Sequence, residues 1–147
     1  MKASTFKLLM NIYPPYWGTG IRVRAISREY RYIKVVMQRR WYNRNYVNTH
    51  FGGSLYAMVD PFYMLMLIPI LGPDYVVWDK AATIDFIKPG RGTMTAEFRI
   101  TDAMLSDIME KTAGGEKYMP QYPVEIMDQQ DDVVARVDKR MYIRKKR

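Results

Sequence analysis

FGGSLYAMVDPFYMLMLIPILGP, residues 51–73, carries one charge, Asp60, in an otherwise apolar run. Burying a carboxylate in such surroundings costs free energy, and proteins tolerate that cost mostly where the group performs chemistry. Two structures fit the run: a membrane span of marginal length, or a core helix wrapped on all sides by the rest of a domain. The core helix fits better, because Asp60 would stand at mid-bilayer and Pro61 and Pro69 would remove backbone hydrogen bonds there. The chain to either side reads as strands of an ordinary folded domain.

Working outward, residues 93–101 alternate Met94, Ala96, Phe98 and Ile100 with polar neighbours, and 133–144 repeats the pattern, so each predicts a strand with one buried face. Further strands are expected over 21–28, 30–39, 75–88 and about 117–128. KPGRG at 88–92 predicts a Pro/Gly turn joining two strands as an antiparallel hairpin. Residues 4 to about 12 predict a short helix stopped by Pro14 and Pro15, and Leu105, Ile108 and Met109 fall at helical spacing before Gly114. A sheet with one apolar face needs a cover, and the only element apolar all round is the helix starting near Gly52. The sheet is expected to curl around it, an α+β arrangement. We divide residues 1–147 as one domain: 1–19 an N-terminal helix and lead-in, 102–115 an inserted short helix, 144–147 a basic tail.

At 147 residues and 48% hydrophobic content, the chain suits a single core. It has no cysteine, which excludes disulfides, thiolate metal sites and a cysteine nucleophile. Net charge is +8. Lys139, Arg140, Arg144, Lys145, Lys146 and Arg147 crowd the last nine residues, among which no acid falls, so the basicity reads partly as a solvated terminal cluster. No nucleic-acid motif accompanies it, and no nucleic-acid partner is expected. No metal cluster, P-loop, dinucleotide fingerprint or Ser-His-Asp arrangement is evident. The N-terminus lacks a signal-peptide pattern, which points to a cytoplasmic protein without membrane insertion.

The stretch NRNYVNTHFGGSLYAMVDP, residues 43–61, resembles the active-site segment of PaaI-type acyl-CoA thioesterases of the hotdog superfamily. In those enzymes an Asn precedes a His-Gly-Gly at a helix start, and an acid follows seven residues after the second Gly. Asn45, Phe51-Gly52-Gly53 and Asp60 keep that spacing here. WDKAATIDFIKPGRG (78–92) and VVARVDKRMYIRKK (133–146) look like an uncharacterised branch of the same superfamily. The resemblance implies a hotdog fold, a curved antiparallel sheet around a central helix, and hydrolysis of an acyl- or aryl-CoA thioester. Coenzyme A would enter as part of the substrate, with no other cofactor.

The residues can be read physically beside the resemblance. Gly52 and Gly53 leave backbone N–H groups open at the first helical turn, which suits an oxyanion hole, or they permit close packing against a strand. Asp60 lies nearly two turns beyond Gly53, roughly 10 Å along the axis by helix geometry. One chain cannot bring both to one carbonyl. The resemblance implies a homo-oligomer, dimer or tetramer, whose antiparallel central helices assemble the site from two subunits. Asp60 would then be a general base or nucleophile, with a pKa raised by apolar surroundings, or else a structural acid bonded to a tyrosine or paired with Lys80 or an arginine. Asn45, or Asn48 if the register shifts, could orient water or substrate, or simply close local turns.

His50, the only histidine, stands one place before the position where the family has histidine, and Phe51 fills that position. We therefore expect His50 and Phe51 to border substrate rather than perform catalysis. Tyr56, Met58, Phe62, Tyr63, Met64 and Met66 could line an acyl pocket or form core. Lys88 and Arg91, with Arg39, Arg40 or the basic end, are candidates for the coenzyme A phosphates. Near Trp78, where relatives place a Ser or Thr supporting the acid, Asp79 and Lys80 could pair instead. The other functional class open to this sequence is an acyl-group or acyl-CoA binding protein without turnover.

Overall fold

A computed structural model describes residues 1–147. Helix α1 (Ala3–Asn11) and a 3-10 turn (Pro14–Tyr16) lead into strands β1 (Ile21–Ile26) and β2 (Tyr32–Gln38). Helices α2 (Gly52–Ala57) and α3 (Phe62–Leu71) follow, then β3 (Tyr75–Phe86), β4 (Thr93–Arg99), α4 (Asp102–Thr112), β5 (Lys117–Tyr118), β6 (Gln121–Met127) and β7 (Val133–Lys145). All strands join one antiparallel sheet in the order β1-β2-β4-β6-β7-β3, with β5 pairing on β7. The predicted strands and both flanking helices are present with ends shifted by a few residues, except that the strand expected over about 117–128 is divided into β5 and β6 around Pro120.

Three expectations change. The turn at 88–92 is no hairpin, because β3 pairs with β7 at one edge of the sheet while β4 lies between β2 and β6. Residues 88–92 therefore carry the chain from an edge strand across to the middle. Local Pro/Gly chemistry specifies a turn but not which strands pair. The terminal cluster is not a loose tail either: β7 runs through Lys145, Arg144 Nε donates to Gly115 O at 2.9 Å, and Lys146 Nζ donates to Pro73 O at 2.6 Å.

The central helix differs too. Pro61 has no N–H to continue the ladder, and residues 58–61 form a turn between α2 and α3. Leu55, Met58, Val59, Phe62, Tyr63, Met66 and Leu67 are buried against the sheet. That spacing is a single helical face. The opposite side, including Tyr56, Ala57, Asp60, Met64 and Leu65, is half-buried and Ile68 is exposed, so the helix is not wrapped on all sides. Phe98 fixes the contact, its ring 5.2 Å from those of Phe62 and Tyr63. Residues 52–71 have the length and apolar character of a membrane span, yet their buried face builds the core.

Candidate active site

Asp60 stands in the turn that Pro61 forces. Because proline cannot donate, the carbonyl of Ala57 loses its helical partner, and the Tyr16 hydroxyl takes that place at 2.9 Å. Burial, with the charge of Asp60 adding to it, pushes the Tyr16 pKa well up, so this hydroxyl keeps its proton. One turn before Asp60, the Tyr56 hydroxyl donates to Asp60 Oδ1 at 2.7 Å. Lys139 Nζ, reaching up from β7, donates to the same oxygen at 2.9 Å and to the Tyr56 hydroxyl at 3.2 Å. Both contacts end on Oδ1, which leaves Oδ2 without a partner in the chain.

On the other side of Lys139 lies Asp79 Oδ1 at 3.2 Å, an ion-pair distance without hydrogen-bond alignment. The Lys139 side chain is 0% exposed, against 47% for Asp60 and 22% for Asp79. Desolvation opposes the Lys139 charge, but hydrogen bonds to Asp60 and Tyr56 and the charge of Asp79 hold its pKa above the ordinary lysine value. Burial pushes the Asp79 carboxyl above the usual carboxylate range, more than Lys139 pulls it down. Tyr56 is raised by burial and by its bond to Asp60. The expected apolar surroundings of Asp60 are thus a tyrosine and a lysine, and its ionic partner is Lys139 rather than Lys80 or an arginine.

Lys139 is the residue that sequence reasoning missed, grouped with the basic end although it has two acidic neighbours in space. A signal was available: Lys139 shares its phase in β7 with Ala135, Val137, Met141 and Ile143, all buried. A lysine on the core side of an alternating strand requires a buried partner. Asp79 meets it because a β-bulge at Lys80 shifts the register between Asp79 and Ala81. The bulge lets Val77 and Ala82 both pack on the core, and it leaves Lys80 exposed instead of paired with Asp79.

A separate groove of about 370 Å³ brings together Asn45, His50, Gly52, Leu55, Phe86 and Lys88. Asp60 does not line it. Asn45 closes the local turn, accepting the Thr49 N–H at 2.9 Å through Oδ1 and donating to Thr49 Oγ1 at 2.9 Å and His50 O at 3.3 Å through Nδ2. Asn48 holds a left-handed backbone (φ 63). His50 staples the crossing loop: its backbone N–H donates to Gly90 O at 2.9 Å, and Nε2 lies 2.7 Å from Gly92 O. A carbonyl only accepts, so Nε2 carries the proton and buried Nδ1 is left bare. Burial lowers the His50 pKa below 6.5, more than the Gly92 bond raises it, and keeps the ring neutral at pH 7.

Both glycines lie against aromatic rings that a side chain would have to displace. A Cβ on Gly52 would stand 3.1 Å from the Phe86 ring, and one on Gly53 2.6 Å from the ring of Phe51, which is itself exposed. Their N–H groups open α2, where no intrahelical acceptor exists. Of the suggested acyl-pocket residues, Met58, Phe62, Tyr63 and Met66 are core, and Tyr56 and Met64 are half-buried. Lys88 is already neutralised, 2.7 Å from Asp128 and 2.7 Å from Asp132. Arg91 is exposed and pairs with no carboxylate. Arg39 and Arg40 border a second groove of about 270 Å³ with Gly92 and Thr93.

This architecture is the hotdog fold, shared with solved structures of other proteins. The chain belongs to the family described as a domain of unknown function, DUF4442, whose profile matches residues 2–143. A protein of unknown function from Pseudomonas aeruginosa superposes with a TM-score of 0.83 at 17% identity, over 99% of this chain and 97% of that one. A thioesterase from Haemophilus influenzae superposes with a TM-score of 0.68 at 12% identity, covering 97% and 90% of the two chains. The Escherichia coli PaaI protein, from the phenylacetic acid degradation operon, gives 0.60 at 21% identity over 93% of each chain. No curated protein matches the sequence.

Proposed function

We propose that the protein hydrolyses the thioester of an acyl- or aryl-coenzyme A, with Asp60 as general base, at a site shared by two subunits. The observation that carries this reading is the Asp60 carboxylate itself. Tyr56 and Lys139 clamp Oδ1, while Oδ2 is unpartnered on the half-exposed side of the helix. A carboxylate so fixed can take a proton from water on Oδ2 as the water oxygen attacks the carbonyl carbon. The N–H groups of Gly52 and Gly53 from the partner subunit would receive the charge that develops on the carbonyl oxygen. Collapse expels the thiolate, which recovers the proton from Asp60.

Pairing of subunits is supported by two features. β3 ends the sheet with one side unpaired, and the half-exposed side of the central helix is apolar around Asp60. Since Lys88 is neutralised, the coenzyme A phosphates are better matched to Arg91 with Arg39 and Arg40. A cytoplasmic location accords with such a substrate. The test is hydrolysis of a panel of acyl- and aryl-CoA esters, run with equilibrium binding of the same esters and sedimentation. Turnover by an oligomer, abolished in Asp60→Asn, is expected. Binding without turnover would make the protein a carrier, and a monomer with full activity would rule out the shared site.

A further inference from the structure

The N-terminal face carries a feature that thioester hydrolysis does not use. Between α1 and β1 runs a groove of about 860 Å³ lined by Lys2, Ser4, Lys7, Arg24 and Arg28, with no acid among its lining residues. Lys7 and Arg24 continue into an adjoining groove that adds Arg22. None of these five cations forms an ion pair. The nearest acid in sequence is exposed Glu29.

Beside this cationic strip stands an apolar crest. Leu8 (61% exposed), Leu9, Ile12, Tyr13 and Trp17 (64% exposed) all face solvent within ten residues of chain. The crest is fixed in place rather than free to fold inward. Phe6 and Met10 anchor the opposite side of α1 in the core. Asn11 pins the helix to the sheet edge, accepting the Val23 N–H at 2.7 Å and donating to Val23 O at 3.1 Å. Trp17 Nε1 donates to Ile12 O at 2.9 Å, which holds the indole against the crest.

We infer that this face docks the protein peripherally on an anionic lipid surface, with Leu8, Leu9, Ile12 and Trp17 entering the headgroup boundary and Lys7, Arg22, Arg24 and Arg28 meeting lipid phosphates. An exposed apolar ridge flanked by unpaired cations matches both the apolar and the charged layers of such a surface. A second copy of the chain fits poorly, because a two-fold contact here would set five cations against their equivalents. β1 and β3 lie at opposite edges of the sheet, so subunits joined along β3 would leave this face open. The inference stands whether or not the protein is a thioesterase.

Vesicle co-sedimentation tests it with the full chain. Vesicles of phosphatidylcholine containing about a third phosphatidylglycerol should bind the protein, pure phosphatidylcholine vesicles should not, and salt should weaken the binding. Lys7→Glu with Arg24→Glu should lower the partition on the order of tenfold, and Leu8→Ser with Ile12→Ser should do likewise. These side chains are solvent-facing, and an unchanged thermal midpoint confirms that the variants fold. A blue shift of tryptophan emission on binding should disappear in Trp17→Phe. Equal binding to both vesicle types, or none, would overturn the proposal. So would loss through the charge reversals alone, which marks plain polyanion attraction, or serine variants that change only the oligomeric state, which marks a contact between copies.

Discussion

Lys139 and Lys88 each stand between two carboxylates, with similar distances and opposite surroundings. Lys139 lies 2.9 Å from Asp60 and 3.2 Å from Asp79 with none of its side chain exposed. Lys88 lies 2.7 Å from both Asp128 and Asp132 with 37% of its side chain exposed. By contact distance the surface cluster is the tighter one. Water at the cation decides otherwise: it reaches the Lys88 side chain and can stand in for exposed Asp132, although Asp128 is only 9% exposed, whereas nothing but Asp60, Tyr56 and Asp79 compensates the buried ammonium. An ion pair at the surface ties a loop, while the buried one holds Oδ1 of Asp60 and leaves Oδ2 without a partner.

The largest expected effect separates the two clusters by activity. Asp60→Asn should reduce thioester turnover by about a hundredfold or more, the scale of a lost general base, while Asp128→Asn should leave kcat unchanged. Similar rates in both variants would break the distinction. Next in size is stability. Lys139→Met removes the buried cation that Asp79, largely out of water, and half-exposed Asp60 share, and should cost up to about 3 kcal/mol in urea unfolding, while Lys88→Met should move the urea midpoint less. Equal midpoints would show that burial is not what sets the clusters apart.

Alkaline pH sharpens the same contrast. Both lysines have folded-state pKa values raised above 10.5: Lys139 by the bonds that outweigh its desolvation, Lys88 by its bonds to Asp128 and Asp132. Each contribution is therefore complete below pH 10.5, the unfolded value, and is lost as pH rises through the folded one. The stability gap between wild type and Lys139→Met should narrow over that alkaline window with little response to salt. The corresponding gap for Lys88→Met should be screened by salt at every pH. The smallest effect concerns substrate. Arg91→Ala should raise KM for a coenzyme A ester severalfold with kcat nearly constant, and Lys88→Ala should change neither, since its charge is already met. A larger KM effect at Lys88 would return the phosphates to that side of the loop.

The break at Pro61 went unread, whereas alternation in 93–101 and 133–144, the apolar run after Gly52 and the stops at Pro14 and Pro15 were legible because they depend on patterns that local sequence carries. So was the suspicion attached to Asp60, a lone charge in an apolar run. Strand order was not legible. KPGRG specifies a turn whether the following strand pairs with its predecessor or crosses the sheet, and β3 found its partner in β7, far along the chain. The electrostatics of the site escaped for the same reason. Lys139 is separated from Asp60 by 79 positions, and Asp79 faces it only through the bulge at Lys80.

The sequence by itself determined the elements, the sides of each strand that had to be buried and the carboxylate around which a site could form. Tertiary structure decided what that carboxylate meets. It set Lys139 between Asp60 and Asp79, spent Lys88 on Asp128 and Asp132, and turned His50 into a staple for the crossing loop. Periodicity fixes which face of an element is inside, but partners across the core depend on strand order and register, and these are properties of the assembled sheet.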